Sequence, residues 1–311
     1  MRHLVEGGPQ AFPELVPAPK SRWTLATLRD ALLWVQGYSL SGIWRLLRGL
    51  DIHWKRGREH VHSPDPHYQA KVATIARLRE QDQRAPLTAA PEPPTRSLAP
   101  GSPQRRVLLF QDEMSYYRQP TLAHGYAAAG TARPLAERSL QSNTVTRLCG
   151  ALNARTGQVT AQQASHFGVT QLVHFYQRLC QTYGAGARLT LVQDNWPIHF
   201  HPDLLVALED QQFLPRWPRR LPPNWPTQAS PSAVRKWGSL HLPIQLVPLP
   251  TYASWCNPIE KLWRKLRQDH LHLHPWADDL ATLRQQVLTF LAQFASGSAD
   301  LLRYVGLQWS G

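Results

Sequence analysis

Residues 106–113, RVLLFQDE, place four consecutive apolar residues shortly before two carboxylates. A continuous apolar run of this length is typical of a strand that is buried on both faces of a sheet. We therefore predict a buried central strand that ends at Asp112 and Glu113. A second segment, RLTLVQD at residues 188–194, has the same arrangement, because its apolar strand pattern ends at Asp194.

The segments after residue 105 alternate between strand and helix patterns. Residues 147–164 predict a hairpin that turns at Arg155-Thr156-Gly157, and PIQLVPLP at residues 243–250 predicts a further strand. Apolar residues at helical spacing appear in residues 168–184 and again in residues 257–268. This alternation indicates an α/β layer fold with a mixed sheet.

The N-terminal part of the chain has helical spacing throughout. Apolar residues recur every three or four positions in residues 23–35, and Ser39 can cap a second helix. The expected buried face of that second helix consists of Ile43, Leu46, Leu47 and Leu50. Two short helices joined by a glycine-containing turn match a helix-turn-helix, and the basic residues 53–66 suit a wing. The alternative is an ordinary helical hairpin with a solvated basic face.

Composition divides the chain into four parts. Residues 1–22 are rich in Pro and Gly and predict a loose leader, and residues 23–84 form the helical domain. Residues 85–104 are dominated by Pro, Ala and Ser and predict a linker. The α/β domain then occupies residues 105–311 and contains a basic stretch rich in Pro and Trp at residues 211–245.

The charge balance favours a polyanionic partner. The chain has 34 Lys and Arg against 21 Asp and Glu, a net charge of +13, and such a basic protein most often binds nucleic acid. It contains no run of about eighteen apolar residues, so we expect no membrane span. Three distant cysteines without a CxxC pair argue against a disulfide framework or a zinc finger, and they fit a reducing cytoplasm.

Three acidic residues are candidates for one site. Ligands of open α/β sheets bind beyond the strand ends, so Asp112 and Asp194 converge if their strands are neighbours. Glu260, near the start of the last predicted helix, can reach the same crevice. Clustered carboxylates repel one another unless a cation holds them, and Mg²⁺ and Mn²⁺ prefer carboxylate oxygens. Taken singly, each acid has an ordinary alternative as a turn cap or as a complement to the helix dipole.

Three motifs resemble the DDE transposases of bacterial insertion sequences in the mariner-like superfamily. They are QDE at residues 111–113, QDNWPIH at residues 193–199, and LVPLPTYASWCNPIEKLWRKLR at residues 246–267. The last motif is the most specific, because about nine residue types agree in order with the family pattern L-P-x-Y-x-x-x-x-N-P-I-E-x-x-W. With the helical region included, the resemblance covers roughly residues 23–275.

The resemblance implies an RNase H-like catalytic domain behind a winged-helix-like DNA-binding domain. It implies that Asp112, Asp194 and Glu260 bind Mg²⁺, or alternatively Mn²⁺, with Glu113 as the rival for the first position. The implied reaction is cleavage of element ends and strand transfer, in which a 3′-hydroxyl attacks a phosphodiester. The implied partners are double-stranded DNA, as terminal inverted repeats and target, and a second copy of the chain in the end-paired complex. The implied location is the bacterial cytoplasm, at the nucleoid when DNA is bound.

Further side chains are expected to support this chemistry. His199 stands at the family's histidine position, where it either orients the scissile phosphate or a metal-bound water or makes a structural hydrogen bond. Asn257 precedes the helix that carries Glu260. On that helix, Ile259, Leu262 and Leu266 form the expected buried stripe, and Trp263 is expected in the core. The residues expected to contact DNA are basic, namely Arg45, Arg48, Lys55, Arg56, Arg58, Arg264 and Arg267.

Two departures from the family pattern bear on function. Between Asp194 and Glu260 lie 65 residues, where the family usually has a few dozen, and the excess is at residues 211–245. That stretch holds five Lys or Arg, seven Pro, three Trp and no acid, so it is either a DNA-contacting loop or a tolerated surface insertion. Family members also usually carry another helix-turn-helix upstream. Two other functions therefore stay open: a non-catalytic DNA-binding protein derived from a transposable element, and a metal-dependent nuclease of the same fold.

Overall fold

The computed structural model of the protein describes residues 1–15, 21–55, 62–85, 105–130, 133–184, 186–209, 217 and 221–308. The chain forms two compact units, Met1–Val61 and His62–Gly311. Within the described ranges, every helix is too short or too polar to cross a membrane.

The N-terminal unit is all-helical where it is described. Its helices are α1 (Arg2–Gly7), α2 (Leu25–Ala31) and α3 (Leu40–Gly49). The hydroxyl of Ser39 caps α3, as predicted, by accepting a hydrogen bond from the backbone N–H of Gly42 at 3.1 Å. The α2–α3 pair is consistent with the predicted helix-turn-helix. Leu50, predicted in the buried face, is instead 40% exposed because α3 ends one residue before it.

The start of the chain is not the loose leader that the composition predicted. Leu4 on α1 is buried, and its carbonyl oxygen accepts a hydrogen bond from the indole Nε1 of Trp23 at 2.9 Å. The apolar residues among the prolines are therefore part of the small core of this unit. The predicted wing is not seen at residues 53–55, which form no strand, and residues 56–61 lie outside the described residues.

Helix α4 (Tyr68–Arg84) belongs to the second unit, although the sequence placed it with the helix-turn-helix. Ile75 packs in the same core as Leu108, and the carboxylate of Asp82 accepts a hydrogen bond from the backbone N–H of Leu108 at 3.1 Å. An amphipathic pattern predicts a buried helix face but does not identify the core that covers it. The predicted linker, after residue 85, lies outside the described residues.

A five-stranded mixed sheet forms the centre of the described second unit. The strands are β1 (Arg105–Tyr117), β2 (Val145–Asn153), β3 (Val159–Ala164), β4 (Ala187–Gln193) and β5 (Ile244–Pro248). Their order is β3-β2-β1-β4-β5, with β1 antiparallel to β2 and parallel to β4. Strand β5 runs parallel to β4. This topology confirms the predicted mixed sheet and the RNase H-like fold class.

Helices cover both faces of the sheet. One core contains side chains of α8 (Ile259–Leu266), α9 (Leu280–Ala292) and α10 (Ala299–Val305), together with α4. The core on the other face contains side chains of α5 (Val169–Tyr183), α6 (Pro202–Leu205) and α7 (Pro231–Trp237). Alternate side chains of β1 pack into the two cores, so β1 is buried on both faces, as its apolar run predicted.

One predicted strand end is wrong, and the predicted insertion is partly built into the fold. Strand β1 does not end at the acids but continues to Tyr117, because Met114 and Tyr116 are still buried on one face. The stretch 211–245 is not simply a surface loop, since it contains α7 and the first two residues of β5, and Trp237 on α7 is buried. Residues 211–216 and 218–220 of that stretch lie outside the described residues.

Candidate active site

A cavity of about 790 Å³ in the second unit contains the three predicted acids. Asp112 comes from the middle of β1, Asp194 directly follows β4, and Glu260 lies in the first turn of α8. Because β1 and β4 are hydrogen-bonded neighbours, the two aspartates meet at the same edge of the sheet. The structure therefore brings together the residues that the sequence analysis proposed as one site.

Asp112 is a buried carboxyl with one strong positioning contact. The indole Nε1 of Trp263 on α8 donates a hydrogen bond to Asp112 Oδ2 at 2.9 Å. Burial raises the pKa of Asp112, and the neighbouring carboxylates of Glu260, Glu113 and Asp194 raise it further, to about 8. A buried carboxylate beside other carboxylates is stabilised either by binding a proton or by binding a cation.

Asp194 is more exposed and remains ionised. Its side chain is half exposed, and Oδ1 accepts a hydrogen bond from the backbone N–H of Trp196 at 2.9 Å. Burial opposes its charge, but the contact with His199 outweighs burial and lowers the pKa of Asp194. The next residue, Asn195, donates from Nδ2 to the carbonyl oxygen of Leu249 at 2.7 Å, which connects the end of β4 to the end of β5.

Glu260 is positioned through the residues that precede α8. The buried Asn257 donates from Nδ2 to the carbonyl oxygen of Gln111 in β1 at 3.1 Å, and its own carbonyl accepts from the Glu260 N–H. Burial raises the pKa of Glu260 and Asp194 adds to that rise, whereas Arg267 and Arg264 oppose it. Asn257 therefore sets the start of α8 relative to the strand that carries Asp112.

Glu113 projects from the other face of β1. Its Oε2 lies 3.5 Å from Nε2 of His199, which is fully buried, and Asp194 Oδ1 lies 3.4 Å from the same nitrogen. Burial lowers the pKa of His199, but the two carboxylates overcome this and raise it to about 9. The predicted supporting histidine thus contacts Asp194 of the cavity and Glu113, the rival of Asp112. It does not contact Asp112 or Glu260.

One wall of the cavity was not predicted from the sequence. Asp65 and Lys71, both 4% exposed, form an ion pair of 2.8 Å, and Asp65 Oδ2 also accepts a hydrogen bond from the backbone N–H of Thr251. Lys71 Nζ reaches the carbonyl oxygen of Leu249 at 3.4 Å. Neighbouring Tyr252 has a left-handed backbone with φ of 54° and is 77% exposed at the cavity. Nothing in the SPDP stretch at residues 63–66 predicts that Asp65 pairs with Lys71, six positions later.

The packing that supports Asp112 was also missed. Trp263 was predicted in the core and is fully buried, but its hydrogen bond to Asp112 was not foreseen. Its ring lies against Gly150 of β2, where a Cβ atom would come within 2.5 Å of Trp263 Cη2. Gly150 is the direct partner of Asp112 in the β1–β2 register. The predicted buried stripe of α8 is confirmed, since Ile259, Leu262 and Leu266 are fully buried.

The basic residues expected at DNA are exposed wherever they are described. Arg45 and Arg48 lie on α3, and Lys55 follows that helix. The Arg48 guanidinium lies over the Trp44 ring, 5.5 Å from its centroid. Arg264 and Arg267 are exposed on and directly after α8, whereas the predicted residues Arg56 and Arg58 lie outside the described residues.

The second unit matches a known protein family. The family model described as "DDE superfamily endonuclease" matches residues 107–284, which is more than half of the chain. One relative, the "Insertion element IS630 uncharacterized 39 kDa protein" of Shigella sonnei, is 22% identical over 268 residues. The match covers 86% of this chain and 62% of the relative, so the chain spans less than two thirds of that protein's length.

Two solved structures show the same fold. The "Mos1 transposase paired-end complex with left transposon end" has a TM-score of 0.52 and 15% identity, and it covers 93% of this chain and 76% of the other. The "Mos1 mariner paired end complex with Mn" also has a TM-score of 0.52 and 15% identity, with coverages of 98% and 81%. At this level of identity the likeness concerns the fold.

Proposed function

The chain belongs to the DDE superfamily of endonucleases, and we propose that it is a DNA transposase that cuts the ends of a mobile element and joins them to target DNA. The observation that carries the proposal is the meeting of Asp112, Asp194 and Glu260 in one cavity. The transposases that share the fold indicate the kind of substrate, because both are paired-end complexes and one contains the left transposon end.

The donor set of the cavity fits divalent cations. Asp112 is buried, and its pKa of about 8 reflects burial together with three neighbouring carboxylates, a repulsion that a cation would relieve. In this proposal Asp112, Asp194 and Glu260 hold Mg²⁺, with Mn²⁺ as an alternative, since both ions prefer carboxylate oxygens. When bound, such ions activate an attacking oxygen and stabilise the leaving oxygen of a phosphodiester.

The protein's own groups would position the reaction. The Trp263 indole holds Asp112 Oδ2, and Asn257 fixes the start of α8, so that the carboxylates are oriented before DNA arrives. Arg264 and Arg267 are exposed near Glu260 and in this proposal bind the phosphates that flank the scissile bond.

DNA recognition is assigned to the N-terminal unit. In a helix-turn-helix the second helix enters the major groove, and here α3 presents Arg45 and Arg48 to solvent. Lys55, and from the sequence Arg56 and Arg58, would hold backbone phosphates beside it. A homodimer that pairs two element ends, and action in the bacterial cytoplasm at the nucleoid, complete the proposal.

The test is cleavage of a labelled duplex that carries the terminal repeat of the chain's own element. We expect nicking at the repeat end in Mg²⁺, none in EDTA, and none with Asp194→Asn, which should still bind the duplex in a gel-shift assay. Asp278→Asn, an exposed acid outside the cavity, is the matched control and should cut like wild type. Binding without cleavage by wild type would contradict the proposal and favour a non-catalytic DNA-binding protein. Cleavage without joined products would favour a nuclease.

A further inference from the structure

Glu113, Asp194 and His199 form a second cluster beside the cavity. Glu113 neighbours Asp112 in β1, so the two side chains point to opposite faces of the sheet. One ligand atom from each of the three cluster residues lies within 4.8 Å of the others. The cluster thus contains an imidazole, which the Asp112–Asp194–Glu260 set lacks.

The spacing around His199 is too long for hydrogen bonds of ordinary strength. Nε2 lies 3.5 Å from Glu113 Oε2 and 3.4 Å from Asp194 Oδ1, whereas such bonds are usually about 2.7–3.2 Å. The ring is fully buried, and neither of its nitrogens makes a well-formed hydrogen bond with a described residue. Ligands at about 2.1 Å from a tetrahedral ion are separated by roughly 3.4 Å, close to the two distances measured here from Nε2.

We propose that Glu113 Oε2, Asp194 Oδ1 and His199 Nε2 form a binding site for a transition-metal dication of the Zn²⁺ class. Imidazole with two carboxylates suits Zn²⁺, Co²⁺ or Mn²⁺, whereas Mg²⁺ prefers oxygen ligands alone. Asp194 would then bridge this ion and the proposed catalytic ions. The site goes beyond the proposed function, because Glu113, His199 and an ion of the Zn²⁺ class are not among the groups assigned to phosphodiester cleavage, and only Asp194 is shared.

The surroundings of the cluster fix the ligand atoms and leave an entry path. Gln111 Nε2 donates to Glu113 Oε1 at 2.6 Å, which leaves Oε2 for the ion. The Trp196 ring packs edge-on against His199, with 5.6 Å between centroids, and the Trp196 N–H donates to Asp194 Oδ1. The Asp194 side chain is half exposed, so an ion can enter from the cavity. Such outer contacts are typical of sites that hold a metal.

Co²⁺ is the probe for the test, because its visible absorption is strong in a tetrahedral site and weak in an octahedral one. We expect metal-free full-length protein to bind one Co²⁺ with strong visible bands and to lose those bands to stoichiometric Zn²⁺. Glu113→Gln should weaken this binding at least tenfold. Glu260→Gln, which changes the other carboxylate cluster, should leave the bands unchanged.

Three results would overturn the site: only weak octahedral bands in wild type, bands that survive in Glu113→Gln, or bands lost in Glu260→Gln. If Glu113→Gln fails to fold, pulsed electron paramagnetic resonance of wild type with Mn²⁺ replaces it. Coupling to an imidazole nitrogen is then expected, and its absence refutes the site. The spectra need no DNA, so this outcome is independent of whether the protein cuts a duplex in Mg²⁺.

Discussion

Gly150→Ala tests whether the packing of β2 against α8 holds Asp112 in place. A Cβ atom at position 150 would lie 2.5 Å from Cη2 and 3.0 Å from Cζ2 of Trp263. Trp263 is fully buried and donates its indole N–H to Asp112, so the ring has little free space in which to move. Any shift that relieves the clash therefore also displaces the donor from the Asp112 carboxylate.

Overpacking of this kind costs about 1–3 kcal/mol of stability. A disturbed hydrogen bond to a buried acidic group adds to that cost, since bonds to charged groups contribute about 1.5–3 kcal/mol. We therefore expect the free energy of unfolding to fall by about 2–4 kcal/mol in Gly150→Ala, taking the two effects as only partly additive. Affinity for Mg²⁺ or Mn²⁺ should fall as well, because Asp112 loses its orientation.

The assay is urea denaturation, followed by calorimetric titration with Mn²⁺ under conditions where each variant is folded. Ala151→Val is the matched control: Ala151 is the next residue of β2, fully buried in the core on the opposite face of the sheet. It should lose comparable stability by overpacking but keep its affinity for Mn²⁺. Trp263→Phe in the Gly150→Ala background removes the atoms that clash, so the two changes should be non-additive by about 0.5–3 kcal/mol.

Two results would refute this reasoning. Additive losses of stability in Gly150→Ala and Trp263→Phe would mean that the two residues do not share a contact that limits packing. Equal losses of Mn²⁺ affinity in Gly150→Ala and Ala151→Val would mean that affinity follows general stability and not the position of Asp112.

Three further predictions follow from burial and charge. The pKa of Asp112 is about 8 in the folded protein and about 3.9 in the unfolded chain, so the metal-free protein should lose stability as pH rises from about 4 through 8. The variant Asp112→Asn should lose less stability over this range. Equal pH dependence of the melting temperature in both proteins would contradict the prediction. Lys71→Met leaves Asp65 buried without its partner and should cost about 3–5 kcal/mol in urea denaturation, whereas a loss below 1 kcal/mol would refute the buried pair. Replacing Arg45 and Arg48 by alanine should lower the slope of log affinity against log salt for duplex DNA by up to about 2, and an unchanged slope would remove both from the proposed phosphate contacts.

The strands of the second unit were predictable because local patterns determine them. The apolar run before Asp112 and the one before Asp194 predicted buried strands, and both are central in the sheet. The length of β1 was not predictable from the run alone. After Asp112 the pattern changes to alternation, with Met114 and Tyr116 buried and Ser115 between them less so, and such alternation is a weaker signal than a continuous run.

Contacts between distant parts of the chain were beyond the reach of local patterns. The sequence gives no indication that Trp263 meets both Gly150 and Asp112, because this depends on the register of β1 with β2 and on where α8 crosses them. The ion pair of Lys71 with Asp65 is a similar case. The two residues are only six positions apart, but the sequence does not indicate that they line the cavity. Residue types at a site could be predicted, but not the side chains that orient them.

The geometry of β1 also bears on the choice between Asp112 and its rival Glu113, for which the family resemblance implies the aspartate. Consecutive strand residues point to opposite faces, so both acids cannot serve the same metal site through β1 alone. Asp112 faces α8, which carries Glu260 and Trp263, whereas Glu113 faces His199. In our proposal the aspartate therefore joins the catalytic set. Asp194, beyond the end of β4, is not confined to either face, and this is why it can contact His199 and still line the cavity with Asp112.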